Sequence, residues 1–310
     1  MAKKFESKPA SVKLNASTTT TTLKASKKAH KAVKKSVTEV KKPSVITTLP
    51  EEPSDGPKLH HTMQGAWKKF SHRYLIANEE MDIGVSYMGL NAASVKVRVL
   101  KNKRISGKDV YVFSARAKTA SFYSWVYELD DYIQSFVLRD TFVPVKYSLI
   151  QRESKKDIDH LEFFDRDKLK THFRYKRTKK SGAVNYRKKD SSIPYFSQDF
   201  LSVFFFFRGL PLKPGDSYII PITTKAKTWE MKINVLKREN VSVKYYKNAP
   251  ALKVEAITKY SGELAKQGKL HFWISDDKYR VLMKFKASVK IGSIKGSLLK
   301  YRVDGQEILK

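Results

Sequence analysis

Apolar and polar residues alternate with a period of two through the last part of the chain. Between Gly268 and Tyr301 one side of the pattern is apolar and the other carries lysine and serine; the apolar positions are Leu270, Phe272, Ile274, Val281, Met283, Phe285, Ala287 and Val289. Ser275, Asp276 and Asp277 interrupt the pattern as a turn. A period of two is typical of half-buried antiparallel strands.

The same alternation, rich in aromatic and β-branched residues, begins near Trp67. It predicts strands over 81–88, 92–101, 108–118, 122–138, 142–151, 168–177, 216–222, 227–239, 250–260, 268–275, 280–290 and 294–303. One further segment has apolar residues at helical spacing instead of alternating ones. These elements together predict an all-β protein with one short helix.

The helical segment runs from Ser197 to Arg208. Ser197 is a candidate N-cap, Asp199 suits the first turn, and Gly209 and Pro211 end the pattern. Phenylalanine and leucine recur at spacings of three and four, at Phe200, Leu201, Phe204 and Phe207. An apolar helix face of this kind must be covered, so we expect a curved antiparallel sheet, or half-barrel, around the helix.

The run Val203–Phe207 is apolar without interruption, which leaves two interpretations open. The phenylalanines could simply complete the core against the sheet, as aromatic stripes usually do. They could also line a pocket for a hydrophobic ligand such as an acyl chain. The candidate residues for such a pocket are Phe200, Leu201, Phe204, Phe205, Phe206 and Phe207.

Residues 1–57 differ in composition from the rest of the chain. They are rich in lysine, threonine, alanine, serine and proline and hold almost no large apolar residue, so they predict a disordered tail or linker. Twelve lysines against five acidic residues give this tail a net charge of +7 (12 − 5). The remaining part, read as a single antiparallel β domain over residues 65–310, therefore holds most of the total charge of +32.

The net charge of the chain and its lack of cysteine limit which partners and which kinds of site the protein can have. Sixty-two Lys and Arg against 30 Asp and Glu should attract polyanions such as nucleic acid, anionic lipid or acidic glycan. The absence of cysteine excludes disulfides, thiolate metal sites and a cysteine nucleophile. No stretch approaches the roughly 18 consecutive apolar residues of a membrane-spanning helix.

The densest charge lies between residues 166 and 189. Lys168, Lys170, His172, Arg174 and Lys176 alternate with apolar or neutral residues, so one strand face becomes a ladder of cations. Candidates for polyanion binding are Lys168, Lys170, Arg174, Lys176, Arg177, Lys179, Lys180, Arg187, Lys188 and Lys189. The alternative is a solvated outer face, or edge-strand lysines that block aggregation.

A surface that binds nucleic acid is expected to carry exposed aromatic side chains among its cations, on which bases can stack. Strand parity instead places Phe173 and Tyr175 on the opposite face, which argues against this partner. The lysine-rich tail could still bind phosphate backbones without sequence preference.

Catalytic patterns are not recognisable. Asp130 and Asp131 are adjacent, so their side chains point to opposite faces of an extended strand. No histidine pair has the spacing of a helical metal site, and no glycine-rich phosphate loop is present. We therefore expect a protein that binds without catalysing a reaction, with no catalytic residues, no metal and no cofactor.

Four segments, in order, resemble a bacterial family known as domain of unknown function 3108. They are 80–90, with Asp82, Ile83 and Gly84; 126–135, with Glu128, Asp130 and Asp131, followed by Asp140 and 142–144; 198–216, with Gln198, Asp199, Arg208 and Gly209; and 273–277, with Trp273 and Asp276, followed by 291–294, with Gly292. The resemblance implies a curved antiparallel sheet with helical cover in a Gram-negative envelope protein, similar in shape to the half-barrel lipoprotein carriers. It brings no known activity and no catalytic residues.

The functional hypothesis combines these points. We expect a cell-envelope accessory protein that binds a lipid, lipopolysaccharide or another anionic envelope polymer through a hydrophobic hollow and a basic face, with another envelope protein as a further candidate partner. The expected location is the periplasm or envelope if a leader segment was removed, and the cytoplasm otherwise, since no leader is visible. The alternatives are an intracellular nucleic-acid-binding protein and a structural module that binds a protein partner.

Overall fold

A computed structural model describes residues 67–125, 127–260, 263–264, 270–288 and 292–308. The predicted tail, residues 1–57, lies outside the described residues. In those residues, sixteen strands form one antiparallel sheet, accompanied by one short α-helix and two 3₁₀ turns, His72–Tyr74 and Ser121–Tyr123. The predicted all-β fold with one short helix is confirmed.

The strands are, in chain order, β1 Glu79–Tyr87, β2 Leu90–Ile105, β3 Lys108–Thr119, β4 Leu129–Leu138, β5 Pro144–Glu153, β6 Lys156–Asp165, β7 Lys170–Lys179, β8 Val184–Ser192, β9 Ser217–Thr224, β10 Lys227–Val241, β11 Ala249–Tyr260, β12 Glu263–Leu264, β13 Leu270–Ser275, β14 Leu282–Ser288, β15 Ser293–Val303 and β16 Gln306–Glu307. The helix, α1, spans Ser202–Gly209.

The sheet is built mainly from consecutive hairpins. Its order is β8-β7-β6-β5-β4-β3-β2-β1-β15-β14-β13-β11-β10-β9, with β12 beside β11 and β16 beside β15. Because neighbouring strands run antiparallel, their turns alternate between two ends of the sheet. We call the end that carries α1 and turns 106–107, 139–143, 166–169 and 276–281 the helix end. The end with turns 88–89, 120–125, 154–155, 180–183 and residue 292 is the far rim.

The helix begins later than the sequence predicts. Ser197 is not its N-cap; instead, Oδ1 of Asp199 accepts hydrogen bonds from the backbone N–H groups of Leu201 (2.8 Å) and Ser202 (2.7 Å). Residues 197–201 therefore form an irregular turn that leads into α1. At the other end, a Cβ atom on Gly209 would lie only 2.1 Å from Cε2 of Phe70, so a glycine is needed where the segment preceding β1 crosses α1.

Contacts of α1 show that the sheet curves around it. Phe205 stacks on Phe113 of β3 with ring centroids 3.9 Å apart, and Phe207 meets Phe272 of β13 edge to face at 5.3 Å. In the strand order, β3 and β13 are separated by β2, β1, β15 and β14. One eight-residue helix can touch both strands only if the sheet bends into a concave surface, which confirms the expected curvature.

Hydrogen bonds tie the two edges of the sheet toward each other. Gln198, in the segment before α1, pairs with Ile222 of β9. Glu162 of β6 accepts hydrogen bonds from the backbone N–H groups of Lys225 (2.9 Å) and Ala226 (2.8 Å) in the β9–β10 turn. The β9 side of the sheet is therefore anchored near the β8 side.

The predicted strands omit β8, Val184–Ser192, and the two-residue strands β12 and β16, and they differ from the structure in two further places. The sequence prediction omitted β6, whose inward-facing side chains include the buried His160 and Glu162. It also started β4 at residue 122, whereas Ser121–Tyr123 is a 3₁₀ turn and the strand starts at Leu129. Polar side chains on the buried face of β6 hide its alternation.

Candidate functional site

The aromatic side chains of α1 fill the helix end of the concave face. Phe205, Phe206 and Phe207 are at most 1% exposed. Phe205 contacts Phe113, and Phe207 contacts Phe272. The ring centroid of Phe206 lies 5.0 Å from that of Trp67 and 5.2 Å from that of Phe70. These rings therefore complete the core, which is the first of the two interpretations of the phenylalanine run.

The other candidates for a hydrophobic ligand are placed differently. Leu201 is 8% exposed within the core, Phe204 is partly buried and packs against it, and Phe200 is 62% exposed at the helix end. The six residues thus do not line one surface. Ligand contact by them stays a prediction, and Phe204 is the member of the run Val203–Phe207 that is not fully buried.

Burial on the concave face decreases from the helix end to the far rim. Five strands from different parts of the sheet carry inward-facing sets that begin with a 0% exposed residue and end with a half-buried one. Ordered from the helix end, the sets are Met81, Ile83 and Val85; Phe113, Ala115 and Ala117; Thr171, Phe173 and Tyr175; Val254, Ala256 and Thr258; and Met283 and Phe285. The concave face is therefore filled by α1 at one end and accessible toward the other.

A polar cluster lies on the same face, close to the far rim. Gln151 of β5 donates through Nε2 to Oδ2 of Asp131 (2.7 Å) and to Oε1 of Glu153 (3.2 Å). Oε2 of Glu153 accepts from the hydroxyl of Tyr127 (2.5 Å) and lies 3.2 Å from Nζ of Lys156. The register between β4, β5 and β6 brings these side chains together.

The surroundings of Asp131 in this cluster disfavour the charged form of its carboxyl. Burial, followed by the negative charge of Glu153, raises the pKa of the Asp131 carboxyl above its ordinary value. Burial and the hydrogen bond to Glu153 raise the pKa of the Tyr127 hydroxyl. Oδ1 of Asp131 is buried and has no hydrogen-bond partner among the described residues. The cluster therefore contains one polar atom whose hydrogen-bonding capacity is not satisfied within the described residues.

Cations surround the cluster on the β6–β8 side of the concave face. The guanidinium of Arg187 lies 5.8 Å from the ring of Tyr175, its cross-strand neighbour. Burial lowers the pKa of Lys225, and the charges of Lys156 and Arg187 lower it further. Arg177 shares the inward parity of Tyr175. Positive charges therefore gather where the apolar wall becomes accessible.

The polyanion candidates divide between two faces instead of forming one ladder. The alternation on β7 is as predicted, with Thr171 and Phe173 buried on the face opposite Arg174. Lys170, Arg174, Lys176 and Lys188 share the outer face, whereas Arg177, Lys179, Arg187 and Lys189 share the concave one. Lys168 and Lys180 lie in turns, where they pair with Asp165 and Asp157.

Acidic neighbours neutralise part of the outer group. Asp190 on β8 accepts a hydrogen bond from Nη1 of Arg174 (2.9 Å) and lies 3.2 Å from Nδ1 of His172. The remaining cations form no ion pair with another described residue; they are Lys170, Lys176, Arg177, Lys179, Arg187, Lys188 and Lys189. β8 is an edge strand and is exposed along nearly its whole length, so the charges of Arg187, Lys188 and Lys189 are accessible.

The sequence does not predict the polar cluster. The predicted opposite orientation of Asp130 and Asp131 is present, since Asp130 binds Arg116 on the outer face. Among the described residues, no group of three potential metal ligands is present. In the same residues, no helix is long and apolar enough to cross a membrane.

The sequence and the fold of this chain were compared with those of known proteins, and the sequence matches one protein family. No curated protein matches the chain significantly. A β-barrel-like protein of the family DUF1849 from Brucella abortus is 9% identical, with 74% of this chain and 98% of that chain covered and a TM-score of 0.43. A candidate lipoprotein from Parabacteroides distasonis is also 9% identical, with 73% and 95% covered and a TM-score of 0.32. The profile of the protein family of unknown function DUF3108 matches residues 82–299, and the chain belongs to this family.

Proposed function

We propose that the protein is a non-enzymatic binding protein of the cell envelope, and that the concave face of its sheet takes the acyl portion of an anionic lipid. The observation that carries this proposal is the decrease in burial from the helix end to the far rim on strands around the whole sheet. Apolar side chains that stay partly accessible along one end of a concave sheet are suited to contact a hydrophobic ligand.

Charge on the concave face supports an amphiphile as the ligand. The apolar wall includes Val85, Ala117 and Phe285, and the cations Arg177 and Arg187 lie at the same end. An acyl chain would bury apolar surface against the wall, at about 25 cal/mol per Å², while its headgroup faced the cations. Lipopolysaccharide and other anionic envelope lipids have this chemistry, and the family resemblance agrees with an envelope location.

Lipid extraction from the purified full-length chain, followed by mass spectrometry, tests the proposal. We expect anionic lipid to copurify, and the melting temperature of delipidated protein to rise on adding phosphatidylglycerol but not phosphatidylcholine. A lipid-free protein whose melting temperature responds to neither would contradict it.

A second candidate function rests on the edge strand β8. Its exposed cations Arg187, Lys188 and Lys189 lack ion-pair partners among the described residues, which favours a polyanion such as nucleic acid. In that case the full chain would retain DNA in a salt-dependent manner, and deletion of residues 1–57 would weaken retention. A chain that binds neither lipid nor DNA would instead favour the module that binds a protein partner.

A further inference from the structure

Apolar side chains concentrate at the far rim. Among the described residues, five large apolar or aromatic side chains are more than half exposed. Three of them lie at the far rim: Trp125 is 80% exposed, Met88 69% and Leu90 58%. The other two, Tyr186 and Phe200, lie elsewhere, on β8 and beside α1, and are 70% and 62% exposed.

The three rim residues belong to neighbouring segments. Met88 lies in the turn between β1 and β2, and Leu90 is the first residue of β2. The backbone N–H of Ala120 donates to the carbonyl of Ala92 (3.0 Å), which holds the segment that carries Trp125 beside this hairpin. The exposed side chains therefore lie on adjacent segments of the far rim, and we call these three residues the apolar tip.

The turn at Met88 has a backbone conformation that methionine rarely adopts. Met88 and Gly89 both have positive φ, 49° and 86°, as in a two-residue type I′ hairpin turn. Asn-Gly is the favoured sequence for this turn, because asparagine tolerates left-handed backbone better than a bulky side chain does. Methionine here is conformationally unfavourable and exposed to water, so an apolar contact outside the described residues would explain it.

Lysines flank this apolar tip. On the far-rim side of β14 and β15, Lys286 lies directly opposite Lys295, and both are exposed. Lys155 and Lys179 are exposed at the neighbouring turns, and none of these four forms an ion pair with another described residue. Among the described residues beside these far-rim turns, Glu128 is an exposed acidic residue, whereas Glu153 and Asp157 pair with Lys156 and Lys180. Apolar side chains surrounded by lysines match the chemistry of an anionic membrane surface.

We propose that the far rim docks onto an anionic lipid bilayer, with Trp125, Met88 and Leu90 entering the interfacial region and the lysines facing lipid headgroups. The excess of cations favours a bilayer over a protein partner. Tryptophan is enriched at this depth because its ring is apolar and its N–H is polar. Docking goes beyond the proposed function, since it would hold even if the concave face took no lipid. It would also bring the accessible end of that face to the membrane.

Vesicle flotation with the full chain tests the proposal. We expect binding to vesicles that contain phosphatidylglycerol, and at least about tenfold weaker binding for the triple variant Met88→Asn, Leu90→Ser and Trp125→Ser. Asparagine suits the positive φ of Met88, so the variant should remain folded, which its melting temperature would verify. Phe200→Ser and Tyr186→Ser remove equally exposed aromatic groups elsewhere and should bind like the wild type.

Tryptophan fluorescence separates insertion from simple charge attraction. All variants keep the basic residues 1–57, so any contribution of that segment is common to them. In the bound wild type, brominated lipids should quench the emission of Trp125; Trp125→Phe should still bind but lose this quenching. Equal binding by the triple variant, or no difference in quenching between the wild type and Trp125→Phe, would overturn the proposal.

Discussion

Arg208 of α1 and Glu79 of β1 form a doubly hydrogen-bonded ion pair that is completely buried. Nη1 of Arg208 lies 2.8 Å from Oε2 of Glu79 and Nη2 lies 2.7 Å from Oε1, and both side chains are 0% exposed. Nη2 also donates to the carbonyl of Tyr279 at 2.7 Å. The pair fixes α1 on the concave face at the end where the core is closed.

Removal of one member of this pair should be costly, because the other charge would remain buried alone. We expect Arg208→Met to lower the free energy of unfolding by about 3–5 kcal/mol, and the double change with Glu79→Leu to recover much of that loss. Urea denaturation measures both. Arg238→Met breaks the exposed pair with Asp276 and should cost less than about 1 kcal/mol. Equal losses for the buried and exposed pairs would contradict this role of Arg208.

Asp199 should make stability depend on pH. Burial raises the pKa of its carboxyl from 3.8 to about 6, although hydrogen bonds from Ser135, Ser202 and Leu201 oppose the shift. Between these values the folded state keeps a proton that the unfolded state has lost, so stability falls as pH rises from about 4 to about 6. The expected loss is roughly 2–3 kcal/mol.

Asp199→Asn cannot titrate and keeps an oxygen that can accept the N–H groups of Leu201 and Ser202. Urea denaturation at several pH values should therefore show a stability difference between wild type and variant that changes across this window. Parallel pH curves for the two proteins would show that Asp199 does not have a raised pKa.

Adjacent aspartates on β4 should respond oppositely to the same substitution. Arg116 donates two hydrogen bonds to Asp130 and lowers its pKa to about 2, so Asp130→Asn should reduce stability at neutral pH. Asp131 is half-buried beside Glu153 and its pKa is raised, so Asp131→Asn should increase stability at neutral pH. Thermal unfolding at pH 7 compares them. A loss of stability in Asp131→Asn would mean that its charge is structural.

The edge strand β8 should contribute measurably to polyanion binding. Arg187→Glu, Lys188→Glu and Lys189→Glu together should lower the salt dependence of binding to double-stranded DNA by roughly 2–3 in the log–log slope. The matched control reverses three exposed lysines of the β2–β3 hairpin, Lys101, Lys103 and Lys108, with the same change in net charge. Equal effects from both triple variants would indicate a response to net charge alone.

Much of the architecture could be predicted because the inward positions are apolar. On β14, Met283 and Phe285 alternate with lysines, and the structure places both on the concave face. The strand β6 could not be predicted in this way. Glu162 occupies a buried position there because it accepts hydrogen bonds from Lys225 and Ala226, and these lie more than sixty residues away in the chain.

The candidate site was less predictable than the fold. Asp131, Gln151 and Glu153 are ordinary polar residues in the sequence, and only the register of β4 with β5 places them on one face. The division of the cations has the same origin, since Arg187 and Lys188 are adjacent and must point to opposite faces. The exposed Met88 does have a signal in the sequence, because it stands directly before Gly89 in a predicted strand-to-strand turn.

The most direct test of the account is the amount of anionic lipid retained by a protein whose concave face has been obstructed. Ala117 is half-buried on this face, and Ser94 is exposed on the outer face of the neighbouring strand β2. Native mass spectrometry of the full chain should show bound lipid in the wild type and in Ser94→Trp, and little or none in Ala117→Trp. Equal lipid retention by all three proteins would contradict the claim that the concave face holds the acyl chain.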